Sequence, residues 1–277
     1  MASKIFVPDL LAGQVALVSG GGSGLGRAAA VELTALGAHV VVCGRRLEPL
    51  EETVSMCDNG RCSAVTCDIR EQEEVGALVD GVIAEHDKID LLLNNAGGQY
   101  MAPAESISPK GFRTVVRLNV EGTSAMCHAV ASKVMVPRGR GTIVNVTLSP
   151  HHGLAGMAHS SSARAAVEGM TKELAAEWGP SGVNVIALAA GHFSTETLRT
   201  KYPKVIVDGV AKTVPLQRLG TEQEFAWTVA LLASPAGAAL SGSVLTIDGA
   251  RDNNFGPWPP PGATDEGGAP PQEERRR

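Results

Sequence analysis

The densest run of potential chemistry in the sequence is Ser19-Gly20-Gly21-Gly22-Ser23-Gly24-Leu25-Gly26. It follows the apolar run Val15–Ser19 and opens a helical pattern, Gly24–Leu36, that stops at Gly37. A glycine turn between strand and helix lets the backbone approach a pyrophosphate, and the free N–H groups of the helix start meet its charge. Gly20, Gly22, Ser23, Gly24, Leu25 and Gly26 are therefore the expected cofactor-binding loop of a nicotinamide dinucleotide. About 20 residues further on, an acid would bind a ribose 2′-hydroxyl. The second strand ends instead in Cys43-Gly44-Arg45-Arg46. Guanidinium forks at Arg45 and Arg46 suit a 2′-phosphate, so NADP(H) is the expected cofactor. The plain alternative is two solvated arginines at a helix start.

Four histidines, His151, His152, His159 and His192, fall on predicted loops around the same region. Imidazole is the side chain best suited to proton transfer near neutral pH. His151 and His152 are adjacent and lack the i, i+4 spacing of paired helix ligands, so no metal site is expected. The five cysteines, Cys43, Cys57, Cys62, Cys67 and Cys127, contain no C-x-x-C pair, which argues against a zinc knuckle or a redox motif.

Positioning these groups requires alternating strands and helices. Val15–Ser19, Val40–Cys43, Cys62–Cys67, Ile89–Asn94, Gly141–Val146, Val183–Leu188 and Val244–Ile247 read as short buried strands. Helical patterns lie at Gly24–Leu36, Leu47–Cys57, Glu71–Glu85, Phe112–Val136, His159–Trp178 and Glu222–Ala233. This order predicts an α/β fold: a single Rossmann-type, doubly wound parallel sheet flanked by helices, spanning residues 11–255. Ligands of such sheets sit at the carboxyl ends of the strands, where the glycine loop, the arginines and the histidines all fall. Asn145, inside the fifth strand, reads as a bridge between strands. The segment Phe193–Pro215 is expected to be mobile and to shape a substrate pocket. Pro and Gly dominate from Gly256, and residues 256–277 are expected to be a disordered tail. Phe255 and Trp258 are candidates to pack on a neighbouring subunit.

Bulk properties narrow the function further. The chain has 277 residues, 44% of them apolar, which is enough for a sizeable core. Its net charge of −5 is spread along the chain, and the only tight basic run is Arg275-Arg276-Arg277, so nucleic acid is not an expected partner. No run of about 18 apolar residues exists, so no membrane span is expected. Met1–Leu11 shows no signal-peptide pattern, and the C-terminus does not read Ser-Lys-Leu. With an odd number of cysteines, these features fit free thiols and a cytoplasmic location.

Five segments follow one another in a recognisable order: Ser19 to Gly26, Cys67-Asp68-Ile69, Asn94-Asn95-Ala96-Gly97, Asn119, and Gly191 to Thr195. From about Leu11 to Gly249 the chain resembles the short-chain dehydrogenase/reductases. The resemblance implies that Asp68 and Ile69 flank the adenine and that Asn95, Ala96 and Gly97 close the ribose side. It implies that Asn119 binds a structural water at a helix kink, and that Gly191 and Thr195 meet the nicotinamide amide. It also implies a homotetramer, paired through the Phe112–Val136 and His159–Trp178 helices.

The catalytic segment departs from the family pattern of a serine followed by Tyr-x-x-x-Lys. The aligned stretch is His159-Ser160-Ser161-Ser162-Ala163-Arg164-Ala165-Ala166-Val167. Ser160 takes the tyrosine position, Arg164 the lysine position, and Thr147, thirteen residues before Ser160, the serine position. Neither Tyr100 nor Tyr202 has a lysine four residues later. Carbonyl reduction needs an acid at the oxygen; a serine hydroxyl is too weak, and a guanidinium does not give up its proton near neutral pH. Enoyl-thioester reduction instead takes hydride at the β-carbon and a proton at the α-carbon, whose donor can lie elsewhere. The segment resembles peroxisomal trans-2-enoyl-CoA reductases and, more loosely, 2,4-dienoyl-CoA reductases. The matching pieces are Gly97-Gly98-Gln99-Tyr100 with Pro103-Ala104-Glu105, His159-Ser160 with Ala163-Arg164-Ala165, and Leu174-Ala175-Ala176-Glu177-Trp178.

Arg164 is then expected to hold the nicotinamide ribose, and Ser160 or Thr147 to bind the thioester oxygen. His159 is a candidate proton donor; Tyr100 is a candidate pocket wall or acid. Helix capping by Ser160 and strand-end packing by Thr147 are the structural alternatives. The expected activity is NADPH-dependent reduction of a conjugated double bond in a small-molecule substrate, an acyl-CoA or a relative of one. Two other readings stay open. One is a divergent secondary-metabolism enzyme that reduces another conjugated system or an imine, or carries out redox-neutral dehydration or cyclisation. The other is a catalytically silent cofactor-binding subunit.

Overall fold

Apolar runs become strands here because helices cover both of their faces. In the computed structural model, residues 3–57, 60–149, 151–201 and 204–253 are described. The strands are β1 (Val15–Ser19), β2 (His39–Gly44), β3 (Cys62–Thr66), β4 (Leu91–Asn94), β5 (Gly141–Leu148), β6 (Val183–Ala190) and β7 (Val244–Ile247). They form one parallel seven-stranded sheet in the order β3-β2-β1-β4-β5-β6-β7. All of β1 is buried. Its Ala16 and Val18 join the core layer containing Ala29, Ala30 and Leu33 of helix α1 (Gly24–Ala35). Its Val15 and Leu17 join the opposite layer, with Val75, Leu78 and Val79 of α3 (Gln72–His86). Helix α2 (Leu47–Met56) links β2 to β3. The winding reverses between β1 and β4, which opens a crevice at their carboxyl ends.

The predicted Phe112–Val136 helix is a broken one. It runs as α4 (Pro109–Val116), a π turn (Arg117–Glu121), α5 (Gly122–Val130), a second π turn (Ala131–Met135) and α6 (Val136–Arg138). The Ser108 hydroxyl caps the start by accepting from the Gly111 N–H at 3.1 Å. In the first π turn the Asn119 amide donates to the Val115 carbonyl at 2.8 Å. Strand β5 runs to Leu148, two residues past its predicted end, because Thr147 and Leu148 pair with Ala189 and Ala190.

Helix α7 (Ala158–Trp178) packs beside β5. The segment expected to shape a substrate pocket carries helices α8 (Glu196–Lys201) and α9 (Lys204–Lys212). Helix α10 (Glu222–Ala233) begins at a capping box in which Thr221 and Glu224 satisfy each other's backbone N–H. The tail predicted for residues 256–277, with Phe255 and Trp258, lies outside the described residues. No described helix is long and apolar enough to cross a membrane.

Candidate active site

A cleft of about 350 Å³ opens at the carboxyl ends of β1 to β4. Gly20, Gly22, Ser23, Gly24 and Leu25 line it, with Arg45 and Arg46 after β2, Asp68 and Ile69 after β3, Asn95, Ala96 and Gly97 after β4, and Thr195. Gly26 lies behind this lining. A Cβ at that position would stand 2.4 Å from the Gly20 oxygen and 2.5 Å from Asn95 Nδ2, so only glycine lets α1 press on the turn. Asn95 Nδ2 donates to the carbonyls of Ser19 and Gly20, both at 3.2 Å. The Ser19 hydroxyl accepts from the N–H groups of Asn95 and Ala96, both at 3.1 Å. These bonds join the ends of β1 and β4 into one wall. Helix α1 starts with no acid in its first turn and no side-chain cap, so its positive end is available to an anion.

The charges of the cleft are unevenly matched. Arg70 grips Asp68 through Nε at 2.8 and 3.1 Å and through a close Nη2 contact. That bond holds the Asp68 carboxyl down to about 2. Arg45 and Arg46 are exposed, and among the described residues neither stands in an ion pair. Arg70 pairs with the acid of the cleft; Arg45, which adds a weaker attraction to Asp68, and Arg46 are in no ion pair among the described residues. Such a cleft fits an anionic dinucleotide.

Arg164 stands behind Gly97 of the cleft lining and is 9% exposed. Its Nη1 donates to the Val146 carbonyl at 2.7 Å. Its Nη2 crowds Gly97 so closely that a Cβ there would stand 2.1 Å away. Among the described residues it has no carboxylate partner, and burial pushes its pKa down to about 10. An uncompensated buried cation of this kind is costly to the fold and available to a ligand. Asn119 is fully buried. The helix kink expected of it exists as the π turn; its partners are Val115 and Gly98. Its Nδ2 donates to the Gly98 carbonyl at 2.8 Å and its Oδ1 accepts from the Gly98 N–H at 3.3 Å. Asn119 thus anchors the loop that leaves β4. Asn145 bridges as expected, accepting from Asn94 at 2.9 Å and donating to Thr171 at 3.0 Å.

That loop then runs along the first turns of α7. The Ser160 hydroxyl donates to Gln99 Oε1 at 2.6 Å. The Tyr100 ring meets His159 edge-on, with centroids 4.4 Å apart. The Ala102 N–H donates to the Gly156 carbonyl at 3.0 Å. Ser160 is not the helix cap, because α7 starts at Ala158 with Met157 before it. His159, the first residue of the predicted helix, is the second residue of α7 and is fully buried.

Thr147 points its chemistry elsewhere than expected. Its hydroxyl donates to Glu168 Oε1 at 2.7 Å, which leaves no proton to polarise a carbonyl. The same oxygen lies 2.9 Å from His151 Nε2, while His151 Nδ1 contacts Asp252. Burial opposes charge on His151, but its bonds to Asp252 and Glu168 prevail and raise its pKa above the usual imidazole value. His152 is exposed and 4.0 Å from Asp252. Burial, aided by Arg251, lowers the pKa of His192. Thr195 lines the cleft, but Gly191 packs against Asp248 behind it. Among the described residues no His, Cys, Asp or Glu cluster could hold a metal. Gln99, Glu168, Asp248 and Asp252 escape sequence reasoning. Asp252 is 101 residues from His151, and no spacing marks such a pair. Glu168 carried a faint signal, one turn after Arg164 on the same helix.

The short chain dehydrogenase family model matches residues 14–205. The chain is 38% identical over 253 residues to a peroxisomal 2,4-dienoyl-CoA reductase from Danio rerio, covering 89% of this chain and 84% of that protein. It is 36% identical over 251 residues to gluconate 5-dehydrogenase from Gluconobacter oxydans, covering 87% and 96%. Among solved structures, a citronellol catabolism dehydrogenase from Pseudomonas aeruginosa superposes with a TM-score of 0.81 at 43% identity, covering 90% of this chain and 98% of that one. Similarity of this extent, over a cleft shaped for a nicotinamide cofactor, shows that the chain is an oxidoreductase of the short-chain dehydrogenase/reductase family.

Proposed function

We propose that this enzyme reduces a conjugated carbon–carbon double bond of an enoyl-type thioester, with NADPH as reductant. One observation carries the reading. The positions that hold tyrosine and lysine in the usual pattern are Ser160, a weak acid bonded to Gln99, and Arg164, a buried cation. Neither can protonate a ketone oxygen, but both suit an enolate whose charge needs stabilising while its carbon is protonated. The 2,4-dienoyl-CoA reductase among the relatives supports the same substrate class.

In this reading the glycine turn and the start of α1 hold the pyrophosphate. Arg45 and Arg46 take the 2′-phosphate, beside an Asp68 that Arg70 has already neutralised. When bound, the reduced nicotinamide supplies hydride to the β-carbon. Arg164, braced by Val146 and Gly97, holds the ribose hydroxyls and keeps positive potential where the enolate charge grows. Ser160 gives its hydrogen bond to the thioester oxygen once Gln99, which holds that proton in the free enzyme, is displaced. By resemblance alone, we take the enzyme to be a cytoplasmic homotetramer paired through α5 and α7.

Stopped-flow oxidation of NADPH with crotonyl-CoA, longer enoyl-CoAs and dienoyl-CoAs tests the proposal, with a ketone panel alongside. Turnover of conjugated thioesters is expected. Silence across them, with turnover of ketones, overturns it.

A further inference from the structure

Beneath the loop that leaves β4 lies a polar group that the fold does not use. His159 is 0% exposed, and among the described residues neither of its ring nitrogens has a hydrogen-bond partner. A neutral imidazole always carries one N–H donor and one lone-pair acceptor. Buried polar atoms are nearly always paired, and leaving them unpaired weakens the fold. Packing does not explain the choice, since a phenyl ring would fill similar space with no polar atom to satisfy.

The position of His159 suggests what it serves. It precedes Ser160 on α7 and sits in that helix's first turn, where the helix dipole favours a negative ligand atom. Its cover is a short stretch of chain fixed at both ends. Asn119 fastens Gly98 at one end, and Gly156 fastens Ala102 at the other. Between these anchors, Gln99 is held by Ser160, and the Tyr100 ring lies against His159. Tyr100 is 41% and Met101 75% exposed, so the flap presents apolar groups to an arriving chain.

We propose that His159 is a substrate-binding residue: Gln99, Tyr100 and Met101 form a flap over it, and a thioester carbonyl that displaces the flap takes the hydrogen bonds of His159 and Ser160. This rests on the enoyl-thioester reading and adds to it the group that binds the oxygen. The imidazole N–H and the serine O–H come from adjacent residues at a positive helix end. They strengthen as the β-carbon takes hydride and charge moves to the oxygen. The flap's apolar outer face then lies against the acyl chain.

The test compares the wild type with His159→Phe and His159→Gln, using three measurements. The first is thermal unfolding without ligands, in which His159→Phe is expected to melt above the wild type. The second is steady-state reduction of crotonyl-CoA. There kcat falls about a hundredfold in His159→Phe, KM for NADPH holds, and His159→Gln, which keeps a donor, recovers part of the loss. The third is NMR of protein labelled with 13C at histidine Cε1, with the His159 resonance identified by its absence from His159→Phe. That resonance is expected to move when crotonyl-CoA is added with NADP+. A His159→Phe enzyme that melts lower and turns over like the wild type makes the imidazole a packing group and overturns the proposal. So does a His159 resonance unmoved by crotonyl-CoA. If the wild type reduces no conjugated thioester, the reaction reading fails by itself. The resonance then decides the binding proposal, upheld if it moves and overturned if it does not.

Discussion

Replacing Arg164 with methionine separates a ligand-binding cation from a structural one, because the two roles predict opposite orders of melting. Burial brings the guanidinium to about 10. At about 1.4 kcal/mol per tenfold change in proton affinity, that is about 3 kcal/mol against the charged form. Methionine removes this cost and fills much of the stem's volume. It also loses the bond to the Val146 carbonyl, worth about 1.5–3 kcal/mol for a charged donor. The cofactor-free variant should therefore be as stable as the wild type or up to about 1.5 kcal/mol more stable, raising Tm by at most about 5 °C. Cofactor binding moves the other way. Losing charge-assisted bonds of about 1.5–3 kcal/mol weakens Kd about 10- to 150-fold. At a cofactor concentration near 100 times the wild-type Kd, the wild type gains about 2.7 kcal/mol, and a variant binding about 100-fold more weakly gains about 0.4. The two melting curves should therefore change order when NADPH is added. Differential scanning calorimetry with and without NADPH, plus a fluorescence titration for Kd, measures both halves. A variant that melts lower than the wild type by the same amount in both conditions refutes the reasoning and makes Arg164 a structural group.

Three further outcomes are expected. Gly26→Ala gains about 1 kcal/mol of helix propensity but drives a methyl to within 2.4 Å of the Gly20 oxygen. Overpacking of about 1–3 kcal/mol should win, lowering Tm and weakening NADPH binding at least about tenfold; an unchanged or raised Tm would contradict the close packing. Removing both Arg45 and Arg46 should cut the preference for NADPH over NADH, read as the ratio of kcat/KM, by about 10- to 100-fold, and an unaltered ratio would place the 2′-phosphate elsewhere. His151 titrates above its unfolded value of about 6.5. Its stabilising charge is thus fully present below that pH and is lost as pH rises through the raised value. The Tm gap between wild type and His151→Phe should be widest in mild acid and should close in alkali. A gap that widens with pH would reject the Glu168–His151–Asp252 bridge.

Much of the scaffold was legible because its causes are local. Val15–Ser19, Glu222–Ala233 and Val244–Ile247 appear at their predicted bounds, since apolar patterning, a capping box and flanking breakers act within a few residues. The π turns were not legible. Each depends on how a long helix meets its neighbours, as Asn119 does by reaching back to Val115 and across to Gly98. The helices α8 and α9 were missed because their mixed composition offers little periodic signal.

By itself, the sequence determined the sheet, the glycine turn and the loss of the tyrosine and lysine at Ser160 and Arg164. These follow from residue type and spacing along the chain. Tertiary structure alone decided what those side chains face. It gave the Thr147 proton to Glu168, neutralised Asp68 with Arg70, buried Arg164 with no counter-ion among the described residues, and buried His159 under Tyr100. The physical reason is that strand and helix propensity act over neighbouring residues. Desolvation and hydrogen-bond partnership are instead set by groups brought together from distant parts of the chain.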